Sequence, residues 1–328
     1  DLRTRRGDAG DDGALADRGH ADERGVGHEL HLELDPVLKG GLALLGKSGR
    51  AAHGSYEVGV PEAAAAAGRV AGYHLIVDTG MTRIGVAPSD ALELRRTIDF
   101  HRGIRCEGTF THFATADVPD DWDFALQLNR FRNTVAALHD AGLETGLVHC
   151  DNTPGTVLHP ECQFDMCRVG VGLYGLQPAE TTVGVIDLEP AMSVRGRVTR
   201  VVYPEVGAGV GYGMTYRVPK RNVQIATVPI GYADGLSRTL SNNMDVIVNG
   251  RRQRQVGNIC MDQFMFAVDV NTTRTYCPTP EIHEGDVVTV IGADGDERIT
   301  ADEMARLRGT INYEVVCGFG MRLPKVFV

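Results

Sequence analysis

The sequence predicts an α/β protein, a parallel β/α domain followed by a β-rich domain, and three observations carry that expectation. Between about residue 60 and residue 188, apolar runs of strand composition alternate with amphipathic helical stretches, the order that gives parallel strands joined by crossover helices. Beyond Leu188 the texture changes to short strands separated by turns. The first 55 residues differ from both: they contain no Ile, Met, Phe, Tyr or Trp and are crowded with Asp, Arg, Gly, Ala and His, so they lack core material. The expected divisions are therefore 1–55, 56–188 and 189–328.

Taken in order, residues 1–28 show neither helical nor strand periodicity. Disorder is one reading of this segment; an out-of-frame translation or a misplaced start joined to an in-frame body is another. In the second division Tyr73–Val77 and Arg105–Phe110 are expected as strands, Ser89–Phe100 and Asp123–Ala141 as helices, and Leu147–His149 and Met166–Val169 as further strands. In the third, strands are expected over Val194–Val202, Val223–Pro229, Met244–Val248, Gln263–Val270 and Val287–Ile291. Thr300 followed three residues later by Glu303 predicts a capping box opening a short helix. Apart from the alanine run Ala63–Ala67, the chain has no low-complexity tract and no internal repeat.

Composition narrows the function. The 328 residues carry a formal net charge of −10, which argues against a nucleic-acid partner, because phosphate binding needs Lys and Arg clustered on one face. Only four lysines occur: Lys39, Lys47, Lys220 and Lys325. The seven cysteines include no C-x-x-C pair, so neither a disulfide framework nor a zinc knuckle is indicated, and a reducing cytoplasm fits. No run reaches the ~18 apolar residues of a membrane span, and no charged-then-apolar leader opens the chain. Gly41–Ser48 satisfies the P-loop spacing G-x-x-x-x-G-K-[ST], but Gly49 and Gly54 break the helix that a phosphate cradle needs after it.

Eight short runs stand in order across about 240 residues: Val77-Asp78-Thr79-Gly80-Met81 with Arg83-Ile84-Gly85, Thr111-His112-Phe113-Ala114, Asn152-Thr153, Arg168-Val169-Gly170, Gly211-Tyr212-Gly213, Gly231-Tyr232-Ala233-Asp234-Gly235, Ile259-Cys260-Met261-Asp262 and Tyr313-Glu314-Val315. In these runs the chain resembles the pyridoxal-phosphate (PLP) dependent alanine racemases. The resemblance implies a (β/α)8 barrel followed by a β-rich domain, PLP as cofactor, a small amino acid (alanine) as substrate, and a homodimer with shared active sites. It also implies interconversion of L-alanine and D-alanine for peptidoglycan. A racemase for serine, and a catalytically dead PLP-binding or scaffold homologue, remain as alternatives.

By the same resemblance Arg168 meets the ring nitrogen of PLP and His112 lies flat on its ring. Thr153, the backbone of Gly170 and Val171, and Tyr313 hold the phosphate. Arg83 and the backbone amide of Met261 bind the substrate carboxylate. Tyr212, contributed across the dimer, is the base that removes the α-proton of L-alanine. Tyr232 and Asp234 are expected to line the entry, and Cys260 to be a packing residue.

Two departures stand out at the site. Many members place a carbamoylated lysine two residues before the aspartate of Asp-Thr-Gly-Met, where this chain has Ile76, and an arginine is common where it has Asn258. A larger one concerns the Schiff-base lysine, which the family carries in a Val-Lys-Ala-x-Ala-Tyr-Gly-His run; the sequence has no such run. Four β/α units before the Asp-Thr-Gly-Met segment need about 120 residues at ~31 per unit. Only 77 precede Asp78, so the barrel is expected to be incomplete at its N-terminal strands, the first strand lying upstream of Asp1 or replaced.

Overall fold

The computed structural model describes Leu42–Ala43, residues 64–101, 103–271, 279 and 281–327. The tract 1–28, Lys39, Lys47, Cys277 and, apart from Leu42–Ala43, the Gly41–Ser48 motif lie outside the described residues. Two compact units are formed. The first runs through Gly170 and takes in Pro178–Ile186; the second comprises Val171–Gln177 and the chain from Asp187.

The first unit is built on a sheet ordered β1 (Leu42–Ala43), β2 (Ala71–Ile76), β3 (Ile104–Phe110) and β4 (Leu147–His149). β2, β3 and β4 are parallel, as the strand-helix alternation requires, and β1 joins β2 antiparallel. Helix α1 (Ala91–Asp99) follows β2 and buries Ala91, Leu94 and Ile98, a spacing of three and four that puts all three on one face. Helix α2 (Trp122–Asp140) starts where the Asp121 carboxylate accepts from the amides of Asp123 and Phe124 at 3.3 and 3.2 Å. It buries Phe124, Leu128, Phe131 and Leu138 into a core shared with Tyr73, Leu75 and Val148. Helix α3 (Thr153–Leu158) leaves β4 with Pro154 in its first turn, where a missing N–H costs nothing, and Asn152 as its cap.

Met166–Val169 is not the strand expected from its sequence. The backbone of the segment and of the residue before it makes isolated bonds to the β4 region, Asp165 N to Val148 O at 2.9 Å and Arg168 N to Asp151 O at 3.2 Å, so no ladder forms and the chain remains a loop.

The second unit is an antiparallel sheet in the order β14 (Glu297–Ile299), β13 (Val287–Asp294), β10 (Asp245–Val248), β11 (Arg251–Val256), β12 (Phe264–Asp269), β9 (Val223–Val228), β6 (Arg200–Val202). β5 (Val194–Arg197) pairs with β13, and β7 (Gly209–Val210) with β8 (Tyr216–Arg217) forms a separate ribbon. β11 has no counterpart among the expected strands because Arg-Arg-Gln-Arg-Gln-Val is polar up to its last residue. It is a strand because it is flanked on both sides, by β10 and β12.

The chain closes with α4 (Ala301–Arg308) and α5 (Asn312–Gly318). Thr300 caps α4 by accepting from the Glu303 amide at 3.0 Å. The reciprocal half of the expected capping box is absent, because the Glu303 carboxylate is held by both terminal nitrogens of Arg252, at 2.6 and 2.8 Å. No helix among the described residues is long and apolar enough to cross a membrane.

Candidate active site

In the first unit the carboxyl ends of β3 and β4 converge on Arg168. Its Nη1 donates to His149 Nδ1 at 2.6 Å, and its Nη2 serves the carbonyls of Thr111 at 2.8 Å and Cys150 at 3.3 Å, with His112 Nδ1 also at 3.3 Å. The guanidinium lies 5.0 Å from the centre of the Phe110 ring. These contacts occupy three of its five N–H groups, and the other two have no partner among the described residues. Burial lowers Arg168 to about 10, which still leaves it cationic at neutral pH.

The guanidinium sets the histidines behind it. Because arginine can only donate, His149 Nδ1 must accept, so the His149 proton sits on Nε2 and is donated to His74 Nδ1 at 2.8 Å. Both rings are buried, at 2% and 7% exposure, and His149 also stacks on Phe110 at 4.7 Å. Burial, followed by the Arg168 charge, lowers His149 to about 3 and His112 to about 4, so both are neutral near pH 7. The approach of His74 requires Gly108 in β3, since a Cβ there would stand 2.3 Å from His74 Nδ1.

Thr153 is buried, and its hydroxyl oxygen accepts from Gly170 N at 3.0 Å, leaving the hydroxyl hydrogen for another acceptor. Gly170 is open: a Cβ built on it would have nothing nearer than Thr153 Oγ1 at 4.0 Å. Arg83 shares a recess with His112, Thr111, Asp78, Met81 and Ile76. Asp78 does not brace it: that carboxylate accepts from the amides of Gly80 and Thr82 at 3.1 and 3.0 Å and so shapes the loop. Among the described residues Arg83 forms no ion pair, and the Ile76 side chain is buried where an acidic group could have faced it.

The remaining expected residues lie in the second unit. Tyr212 stands between Gly211 and Gly213, whose φ angles of +68° and +73° turn the backbone so that the phenol is 74% exposed. This exposure argues against a packing role among the described residues. Asn258 fixes the turn, its Nδ2 donating to Tyr212 O at 2.7 Å. Met261 and Tyr232 are also exposed, joined through bonds from Tyr232 N to Cys260 O and Ala233 N to Met261 O, each 3.0 Å.

Asp234, expected at the entry, is instead buried and accepts from Gly231 N at 2.8 Å while pairing with Arg322. Cys260 packs against the cluster of Val210, Val256 and Met265, as expected. Val171 is buried at the start of a 3-10 turn, and Tyr313 lies in the first turn of α5.

The structure thus brings Arg168 and His112 together, and Thr153 with Gly170, in the first unit, and leaves both Tyr212 and Met261 exposed in the second. Sequence reasoning missed His149 and His74. His149 ends an expected strand in the same manner as His112, and that position was the signal available for it.

The family models for the alanine racemase N-terminal and C-terminal domains match residues 59–178 and 191–327. The alanine racemase of Symbiobacterium thermophilum is 42% identical over 260 residues, 79% of this chain and 67% of that protein. The enzyme of Desulfovibrio desulfuricans is 42% identical over 78% of this chain and 66% of its own length. The crystal structure of the Bacillus anthracis alanine racemase with bound L-Ala-P superposes with a TM-score of 0.73 at 35% identity, covering 82% of this chain and 68% of that one. The chain spans about two thirds of the length of these relatives. With both domains matched and the site residues in the family's order, the chain belongs to the alanine racemase family.

Proposed function

We propose that this chain is the cofactor- and substrate-handling part of an alanine racemase that interconverts L-alanine and D-alanine with PLP, in the cytoplasm, supplying D-alanine for peptidoglycan. The observation that carries the reading is Arg168, held by His149, Thr111 and Cys150 with two N–H groups to spare and neutral His112 beside it. That donor set fits PLP. A guanidinium that only donates suits an unprotonated pyridine nitrogen, a neutral imidazole suits the ring face, and the free Thr153 hydroxyl hydrogen beside open Gly170 suits phosphate.

Bound PLP supplies the electron sink that acidifies the α-C–H of an amino acid. The protein groups do the rest. Arg168 keeps the ring nitrogen unprotonated, which moderates the sink and limits side reactions. We assign Val171 and Tyr313 to the phosphate with Thr153 and Gly170. Arg83 orients the substrate carboxylate together with the Met261 amide. Tyr212 as its phenolate takes the α-proton of L-alanine, and as the resulting phenol returns it in the reverse direction. Tyr212 and Met261 are exposed on their own chain, which supports a head-to-tail homodimer in which they face the partner's cofactor.

Racemisation needs a second base opposite Tyr212, which the family supplies as its Schiff-base lysine. Lys220 pairs with Asp269 at 2.6 Å in the second unit, and Lys325 lies near the end of the chain; neither stands in the family's lysine run. The 328-residue chain by itself is therefore expected to bind PLP without a borohydride-reducible link and to form no D-alanine. Mixed with a family subunit that has the lysine but carries phenylalanine for its tyrosine, it should restore racemisation of alanine in preference to serine. Borohydride reduction with peptide mapping and an amino-acid panel reads all of this. Pyridoxylation of Lys39 or Lys47 together with D-alanine formation would show that this chain carries its own lysine base, and PLP binding unchanged in Arg168→Met would overturn the cofactor assignment.

A further inference from the structure

The sequence offers no paired-cysteine motif, yet the fold of the first unit gathers three of its cysteines around one carboxylate. Cys150 and Asp151 follow β4, Cys162 lies in a 3-10 turn after α3, and Cys167 sits in the loop that leads to Arg168. Cys150, Asp151 and Cys162 are each fully buried, and one ligand atom from each lies within 4.8 Å of the other two. Cys167 Sγ, on the exposed side, is 3.5 Å from Asp151 Oδ2, and Cys150 Sγ is 3.7 Å from Asp151 Oδ1.

Asp151 is the telling member. A carboxylate with no solvent exposure requires a cation, strong donors or a metal to offset its desolvation. Among the described residues its side chain forms no ion pair, and its hydrogen-bond partners are two thiols, which are weak donors. Thiols surrounding a buried carboxylate are a poor way to satisfy it and a good way to ligate a cation.

We propose that Cys150, Cys162, Cys167 and Asp151 form a tetrahedral site for a borderline-soft divalent cation of the Zn²⁺ class. Three sulfurs and one oxygen are a donor set that Zn²⁺ accepts. Zn–S bonds of ~2.3 Å place tetrahedral sulfurs about 3.8 Å apart, so the ligand atoms of Cys150, Asp151 and Cys162, within 4.8 Å of one another, need to move by roughly 1 Å or less. Cys167, 3.5 Å from Asp151 Oδ2 but outside that cluster, must turn its exposed side chain inward to become the fourth ligand. Each thiol that ligates gives its proton to solvent as its S–metal bond forms, and no oxidant or reductant is involved. Exposed Cys167 provides the way in, and Cys150, Asp151 and Cys162 close the site from behind. Its occupancy would also fix the Cys150 and Asp151 carbonyls, which accept from the Arg168 side chain and backbone amide.

Cobalt tests this directly. The full chain, reduced and freed of metal with a chelator, is titrated with Co²⁺ while visible d–d bands and near-ultraviolet thiolate-to-cobalt charge transfer are followed. Bound Co²⁺ should reach one per chain with intense tetrahedral bands, and Zn²⁺ should displace it. Cys150→Ala, Cys162→Ala and Asp151→Asn should each weaken binding by more than roughly tenfold, whereas Cys106→Ser and Cys317→Ser should leave it unchanged. Circular dichroism of each variant, and the near-isosteric Asp151→Asn in particular, separates ligand loss from unfolding. X-ray absorption of the Zn²⁺ form should show a mixed sulfur and oxygen shell. The absence of a charge-transfer band, its persistence in Cys162→Ala, or a shell without sulfur would overturn the proposal. So would a Cys150–Cys162 disulfide, found by non-reducing peptide mapping, forming in place of metal uptake.

Discussion

The two groups of candidate residues, one in each unit, are built in opposite ways. In the first unit the Arg168 guanidinium is surrounded by groups whose hydrogen bonds determine one another, down to which nitrogen of His149 carries the proton. In the second unit Tyr212 projects into solvent from a turn fixed by two positive-φ glycines and one Asn258 bond. Burial explains the contrast. Groups that must keep a set protonation state gain from desolvation and neighbouring charge, and both act through this chain alone. On the proposed dimer reading, a base delivered to another subunit is exposed on its own chain, because the surface that buries it is elsewhere.

The largest test of the contrast removes the centre of the buried group. Arg168→Met leaves His149 Nδ1 and the Thr111 and Cys150 carbonyls without their donor. At roughly 1 kcal/mol or more for each buried acceptor, less the relieved desolvation of the guanidinium, a loss of about 2–4 kcal/mol is expected. The urea midpoint should fall with little change in slope. Arg168→Lys should recover only part of the loss, since a single ammonium cannot serve acceptors arrayed around a planar fork.

Acid probes the same group more gently. Burial, then the charges of Arg168 and Arg83, lower His112 to about 4, below the ~6.5 of an unfolded histidine. Between those values the unfolded chain binds more protons than the folded one, so stability rises with pH there. The contribution is complete above about pH 6.5 and is lost as pH falls toward 4. From pH 6.5 to 5 the loss is about 1–2 kcal/mol. Comparing wild type with His112→Phe across that range isolates it, because carboxylates titrating in both proteins cancel. Parallel stability curves for the two proteins would remove the neutral-histidine argument.

In the second unit Thr300→Ala should cost about 1 kcal/mol, the usual value of a lost helix cap, since Thr300 supplies one bond to the Glu303 amide. Glu303→Gln should act through Arg252 instead and be rescued by no change at Thr300, because the two side chains do not form a closed box. Chemical denaturation of the two single variants and the double variant checks their additivity.

Much of this was legible in the sequence, for reasons that differ by element. Leu147–His149 is a strand as expected, and Asp123–Ala141 is a helix to within one residue at each end, because their apolar faces are set by local periodicity. β11 was not legible, because Arg251–Val256 has no apolar run and takes its conformation from the strands on either side. Met166–Val169 misled in the other direction: its apolar residues suggest a strand, but no neighbouring ladder is available to it. The motifs contained Arg168, His112, Thr153 and Gly170. They did not contain His74 or the cluster around Asp151, since those contacts join residues 75 apart in one case and, in the other, cysteines with no characteristic spacing.

The smallest effect on stability should accompany the largest effect across an interface. Tyr212→Phe removes one oxygen from a side chain that is 74% exposed, and the Asn258 bond to this residue goes to its backbone carbonyl, so the substitution breaks no hydrogen bond described within the chain. Its unfolding free energy should change by no more than about 0.5 kcal/mol. In mixtures with a lysine-bearing family subunit that lacks its own tyrosine, wild type should restore racemisation of alanine, and Tyr212→Phe should restore none while forming the same heterodimers by sedimentation. A phenyl ring keeps the shape and the apolar contact but cannot take a proton, so this pair of results separates a base from a packing residue. Full recovery with Tyr212→Phe would mean that the exposed turn serves assembly alone, and the contrast between the buried and presented groups would then describe packing rather than chemistry.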